Sequence, residues 1–462
     1  MTSISDSMPY FQSLFTEHKN QLPGNHLPWL QKKREEAIQT FVKTGFPTNK
    51  HEEWRYTPMT LLNQTLWQID RFNKKDCQWR VIADTAILSL TYSRKSPTDS
   101  IDYTPAHSLP IQQSAEELAD FYASDSRYEF IANECIITDM QTAFEKYPDY
   151  LEKYLNKSPL TDFDAFNTAF FDQGFFILIK KNAHLKQPIW IEAPALLDKH
   201  MSCSRHLIIL EEGAQATIVE SFQHALTSDE KTIVFHNTIT EVYVDTHAKL
   251  THYRAQDEHH TNSQSIYLNQ LYIKQQAHSE TNNFVMSTGA QWIRSDSHIR
   301  LEEEHAHCSL KGITIGTEKQ YIDHHTTVEH LKPNGTSNEY YKSILSGSSK
   351  SVFNGKVIVS PKAIHTNAAQ KHKTLLLSRE AQMNTKPQLE IFSDDVKCTH
   401  GATIGQLDED ALFYLQARGI FHTDAQKLLI EAFLGDLLED DMLKPIKNSI
   451  QQKIENLNHA CF

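Results

Sequence analysis

The segment "DDVKCTHGATIGQLDEDALFYLQARGI", Asp394 to Ile420, places a thiol and an imidazole two residues apart, at Cys398 and His400. The residues around them read as a strand, and side chains at i and i+2 of a strand leave the same face. Three chemistries are open to such a pair. It could belong to a metal or iron–sulfur site, because thiolate and imidazole both bind zinc and iron. It could be a nucleophile with its base, although such partners usually lie far apart in sequence and two side chains on one strand run parallel. It could also be ordinary packing. Two ligands do not fill a tetrahedral shell, so a metal reading needs other strands or another chain.

Histidine is unusually abundant, with 25 copies among 462 residues. Two groups stand out: His305/His307, and Asp323, His324, His325 and His330 in "DHHTTVEH". On a strand, His305 and His307 would share a face, as zinc or iron ligation requires. "HAHCSLKG" supplies no carboxylate four or five residues on, so the HxH-plus-Glu pattern of β-barrel metal sites is absent. These histidines therefore read either as half-exposed strand positions or as the centre of a stand-alone β-helix metalloenzyme. No GxSxG, HExxH, P-loop or GxGxxG motif points to another enzyme class.

Three regions must position these residues. Residues 1–165 are mixed, mostly helical: "LPWLQKKREEAIQTFVKTGFP" has Pro28 early and Gly45–Pro47 as a stop, "SAEELADFYAS" opens like a capping box at Ser114 and Glu117, and "WRVIADTAILSLTYS" is strand-like. Residues 166–406 are dense in short β-branched and aromatic runs between polar turns. Alanines at Ala214, Ala248, Ala277 and Ala306, spaced 34, 29 and 29 residues apart, suggest a recurring turn. A repeated turn favours a stacked β-helix over a β-sandwich. Residues 407–462 carry three amphipathic helical patterns and ten acids against five bases, a net −5. Thr423 or Asp424 reads as the cap of the second, and the apolar stripe is expected to pack partly on the last β-helix rung.

Composition narrows the class. Hydrophobic content of 39% with 22% charged residues describes a core-forming chain, and the net charge of −13 argues against a nucleic-acid surface. The longest dense apolar run, "GFFILI", has six residues, far below the roughly 18 needed to span a membrane. The six scattered cysteines fit a reducing cytoplasm, and the opening "MTSISDSMPYFQSLF" lacks the pattern of a secretory signal.

The segment "NTKPQLEIFSDDVKCTHGATIGQLDEDALFYLQARGI" resembles the SufD branch of the SufB/SufD family, components of the SUF iron–sulfur cluster assembly system. "DHHT", "VFNGKVIV", "LLLS", "AFNTAFFDQGFFILI" and "EEWRYT" extend the resemblance over most of the chain. SufB-like chains carry an acidic residue after the histidine, where Gly401 follows His400 here, and a cysteine-rich N-terminal segment that is absent here. Two positions depart from the SufD pattern: Glu339 stands where glutamine is usual, and Asn384 where aspartate is common. The resemblance implies a right-handed parallel β-helix between helical ends. It implies a non-catalytic scaffold that pairs with a SufB-like protein, docks a SufC-like ATPase and can form a homodimer in isolation. A transient iron–sulfur cluster at the SufB interface would use His400, with Cys398 beside it, and nothing would be held tightly by this chain alone. The ATPase would dock on the C-terminal helices, through Leu412, Phe413, Tyr414, Arg418, Leu429 and Phe433. Deleting residues 408–462 is then expected to leave the β-helix folded.

Overall fold

The computed structural model describes all residues except 1–3, 49, 58, 60–61, 63–64, 70–76, 83–86, 93–128, 132, 158–161, 195, 223–231, 258–263, 439–443 and 461–462. The capping-box segment at Ser114 lies outside the described residues. The chain is mainly β, and its centre is a parallel β-solenoid. Each coil gives one strand to a first sheet, which runs through Phe175–Ile179, His200–Leu210 and their successors to Gln382–Ile391. It gives the next strand to a second sheet, which runs through Ile189–Glu192, Gln215–Phe222 and their successors to Lys397–Gln406. Neighbouring strands are in exact register, as in Cys308↔Ser337, Ser337↔Ala368 and Ala368↔Cys398. Inward residues therefore stack in columns, each about 4.8 Å above the last.

The recurring turn is real, and its register differs from the alanine count. The corner leading into the second sheet repeatedly uses a left-handed residue: Gly213, His247, His278, His305, Asn334 and His365, with φ between 58° and 69°. A small buried residue follows, at Ala214, Ala248, Ser279, Ala306, Gly335 and Thr366. Ala277 is thus two residues early, and Ser279 is its structural equivalent. Histidine tolerates the left-handed region better than most side chains. The stack also lets its rings pile up, with centroids 5.0 Å apart for His247–His278 and 4.8 Å for His278–His305.

The N-terminal region covers the outer face of the first sheet, packing on Met201, Phe235, Ile266, Trp292, Tyr321 and Val352 of successive strands. Helix Pro28–Thr44 starts and stops as the sequence predicts, with Pro28 in its first turn and the Gly45 N–H donating to Phe41 O. It packs through Leu30, Ala37 and Phe41 against Phe166 and Phe170 of helix Asp162–Phe170. Buried Arg34 ties the two together by donating to the carbonyls of Pro23, Ala169 and Phe171.

The C-terminal helices Glu409–Ala417, His422–Leu434 and Lys444–Ala460 form where the periodicity places them. Asp408, not a residue of the next helix, is the side-chain cap, accepting from the N–H groups of Asp410 and Ala411. Helix His422–Leu434 begins after Phe421, and neither Thr423 nor Asp424 caps it. The packing also differs from expectation. Ile430, Leu434, Ile446, Ile450 and Ile454 lie on the outer face of the second sheet, against Val219, Tyr253, Phe284, Ile313 and Ile344. The helices therefore fold back along the side of the solenoid instead of capping its last rung.

Candidate functional site

Strand Lys397–Gln406 has a single neighbour, Asn367–Leu376, and strand Gln382–Ile391 has a single neighbour, Lys350–Val359. Among the described residues these two strands end their sheets, so the last coil is open. Each keeps one row of backbone N–H and C=O groups without a sheet partner, a template for strand addition. Ile391, Phe392 and Ile404 are exposed around this end, Phe392 by 62%.

Cys398 and His400 sit in that coil. Cys398 packs against the small interior cluster of Val357, Val359, Ala363 and Ala368, so its side chain faces the lumen. His400 shares its parity, and therefore its face, and is exposed because no coil lies above it. Burial raises the Cys398 thiol above its ordinary range, and a hydrogen bond from the Ala368 backbone only partly offsets this. At neutral pH it is a thiol that must lose its proton to act as a ligand. Cys135, Cys203, Cys308 and Cys398 are free cysteines. The first three are buried and have their thiols pushed further up by burial, so they are poor nucleophiles.

The other histidine groups separate. His305 lies in the exposed corner and His307 begins the following strand, so the pair does not share a strand face. His324 points into the lumen, where burial pulls its pKa down to about 4. His325 points out. Its Nε2 lies 2.9 Å from Asp323 and its Nδ1 3.0 Å from Glu53. Desolvation opposes its charge, yet Asp323 and Glu53 together hold its pKa up at about 9. His330 bonds the Ser337 hydroxyl inside the solenoid. Asp323 also accepts from Arg294 and Thr57, and Arg294 lies 3.7 Å over the Trp54 ring. "DHHT" and "EEWRYT" are thus two halves of one clasp that fastens the N-terminal segment to the first sheet. Among the described residues, no group of three or more His, Cys, Asp or Glu side chains is arranged to hold a metal ion. Among the described residues, neither the His305/His307 nor the His324/His325 group is arranged as the metalloenzyme reading requires.

On the helical side, Phe413, Tyr414 and Phe421 are exposed by 73, 57 and 77%, and Leu428 by 45%. Arg418 lies 4.8 Å over the Tyr414 ring, and Leu412 and Leu429 are half-buried. Phe433 is different. It packs on the sheet-facing cluster, and the Lys342 ammonium sits 5.0 Å from its ring while bonding Phe433 O and Asp436. Asp436, one of the ten acids of this region, is therefore committed within the chain, and three more, Glu439, Asp440 and Asp441, lie outside the described residues. Phe421 stands outside the expected docking set because it precedes helix His422–Leu434 and so belongs to neither apolar stripe. Its place between two helical patterns was the available signal.

No described helix is long and apolar enough to cross a membrane. The sequence profile of the SUF-system iron–sulfur cluster assembly SufBD core domain matches residues 194–433, and that of the SufBD N-terminal region matches residues 5–79 and 114–191. The chain is 29% identical to an iron–sulfur cluster assembly SufBD family protein of Synechocystis, over 92% of its own length and 90% of the relative's. It is 28% identical to the iron–sulfur cluster assembly protein SufD of Escherichia coli, over 91% of each, and 25% identical to SufD of Bacillus subtilis, over 98% of each. With the core and the N-terminal region both accounted for, the chain belongs to the SufBD family and has its role in the SUF pathway of iron–sulfur cluster assembly.

Proposed function

We propose that this chain is a non-catalytic scaffold whose open coil pairs with a SufB-like protein and supplies His400, with Cys398 beside it, to a cluster assembled at that junction. The observation that carries this reading is the open coil itself. Two unpaired parallel edges, a rim of Ile391, Phe392 and Ile404, and two soft-metal donors all occur on the same terminal rung. A partner solenoid adding its own strands satisfies the backbone groups, as in strand addition generally. It also brings the remaining ligands of a shell that this chain only half fills. An iron–sulfur cluster is cargo here, and an incomplete shell lets it leave. Without the partner, the same edges suit a second copy of this chain. The test is His400→Ala, co-expressed with SufB-like and SufC-like partners. Complex assembly is expected to be unchanged, while cluster yield falls by more than about tenfold. Cys398→Ser is expected to be milder, since its side chain is partly packed. Normal cluster yield from the histidine variant in an intact complex would remove His400 from the ligand set.

The chain contains no nucleotide-binding motif, and an ATPase partner of the SufC type fits the exposed helical face. We assign docking to Phe413, Tyr414, Phe421 and Leu428, with Arg418 and Leu412 at the edge and Leu429 and Phe433 mainly supporting from below. Aromatic anchors dominate such contacts. Replacing Phe413, Tyr414 and Phe421 together by alanine is expected to leave thermal unfolding within a few degrees, because none is buried, and to abolish ATPase retention in a pull-down. Full retention by the folded triple variant would move the docking site elsewhere.

A further inference from the structure

The inward column below His400 is polar, and its hydrogen bonds have a direction. Glu339, Gln370 and His400 are consecutive register partners on neighbouring coils. Glu339 is fully buried, and its Oε2 accepts from Thr326 Oγ1 at 2.6 Å and from Gln370 Nε2 at 3.3 Å. Gln370 is also buried, and its amide crosses the lumen to the first sheet: a Cβ added at Gly355 would lie 1.8 Å from Gln370 Nε2. Gly355 is therefore the space that admits this amide. Gln370 Oε1, by contrast, is buried with no hydrogen-bond partner. A buried carbonyl left without a donor is destabilising, so its position asks for one. With the N–H end committed inward to a carboxylate, the carbonyl end is what remains for the next coil, whose register residue is His400.

We propose that Gln370, held in one flip state by Glu339, is a positioning residue that accepts a hydrogen bond from the His400 ring and sets its tautomer. The inference rests on His400 being a cluster ligand only for its functional meaning. A neutral imidazole has one N–H and one bare nitrogen, and the hydrogen bond made by the first decides which nitrogen is offered to a metal. A free glutamine could turn its amide and present either end. Above its pKa of about 7 Glu339 is a carboxylate, which accepts and does not donate, and it then removes that choice. The Gln370 carbonyl can then only accept, which keeps the proton on the ring nitrogen facing inward and leaves the other nitrogen bare toward the open end.

The experiment uses the full chain with 15N-labelled histidine, its His400 signals assigned by their loss in His400→Ala. Ring nitrogen shifts are read about two pH units above the ordinary histidine pKa, so that the ring is neutral. The native chain is expected to show one dominant tautomer. Gln370→Met, which keeps volume and removes the acceptor, and Gln370→Asn, which withdraws it by one methylene, are each expected to give a mixed population. In the complex with both partners, either variant is expected to lower cluster yield roughly tenfold, the usual scale for losing an outer-shell partner. An unchanged tautomer ratio in a folded variant overturns the proposal. If His400→Ala leaves cluster yield intact, the ligand reading fails while the tautomer measurement still decides the positioning one.

Discussion

Removing residues 408–462 will leave an insoluble chain, not a free-standing β-helix. The three helices place Ile430, Leu434, Leu437, Ile446, Ile450, Ile454 and Leu457 in one cluster with the outer face of the second sheet. At about 1.5–3 kcal/mol per buried side chain, this contact contributes on the order of 10–20 kcal/mol before ordering entropy is subtracted. The sheet side is equally committed. Val219, Tyr253, Phe284, Ile313 and Ile344 would become a continuous exposed apolar surface, the kind that drives association. The loss is also polar: Asp257 is buried and paired with Lys453 at 2.7 Å, and Lys342 would lose Phe433 O and Asp436. The expectation that the helices could be cut away cleanly treated them as a docking module packed only in part on the last rung, and their position along the second sheet argues against it. Expression of residues 1–407 followed by sedimentation and thermal melting checks the result. A soluble truncated chain with a cooperative transition would show that the helices are dispensable for the fold.

The second large effect is a steep loss of stability under mild acid. His206, His324 and His330 are pushed down to about 4, and His372 to about 3, in every case first by burial. All four are neutral in the folded chain at pH 5, whereas the unfolded chain protonates them through their ordinary value near 6.5. The unfolded state thus binds more protons between about pH 6.5 and 4, and stability falls as pH falls through that window. Two buried carboxyls oppose this. Burial raises Glu339 to about 7 and Asp172 to about 8, so the folded state holds a proton on each that the unfolded state releases above its ordinary value. Four histidines less two carboxyls leave a net difference of up to two protons. Each proton is worth about 1.4 kcal/mol per pH unit. His325 does not contribute in this window: it is held up at about 9, so its stabilisation is complete below the ordinary value and fades only as pH rises through 9. Denaturant melts at pH 7.5, 6 and 5 give the slope directly, and a flat profile across them would mean that these four side chains are not buried as neutral groups.

How much of this was legible in the sequence depends on which period carried the signal. Strand alternation placed Cys398 and His400 on one face, because a period of two needs no tertiary information. The same rule misread His305 and His307, since His305 occupies a left-handed corner and the strand starts two residues later. The corner itself was half visible. Alanine marked it at Ala214, Ala248 and Ala306, but serine does the same work at Ser279, so a search for one residue type slipped onto Ala277. What covers the second sheet was the hardest to see. In "ATIVESF" and "KGITIG" the outward apolar residues, Val219, Ile313 and Ile315, alternate with inward residues, and nothing in the strand pattern names the element that covers them. The Glu339–Gln370 link was invisible because its partners are 31 residues apart and meet only once the coils are in register.

The exact register of the coils has a consequence for how such a chain can change. His252 and His400 belong to one column, separated by Asn283, Leu310, Glu339 and Gln370, so five steps of about 4.8 Å, roughly 24 Å, lie between them. Substitutions more than about 7–10 Å apart with no shared neighbour usually add in their effects. A change at the buried Glu220–His252–Arg254 network should therefore be felt one or two coils away and no further. The terminal rung can drift in sequence, and a lineage can retune its open end, without the interior coils having to be rebalanced at the same time.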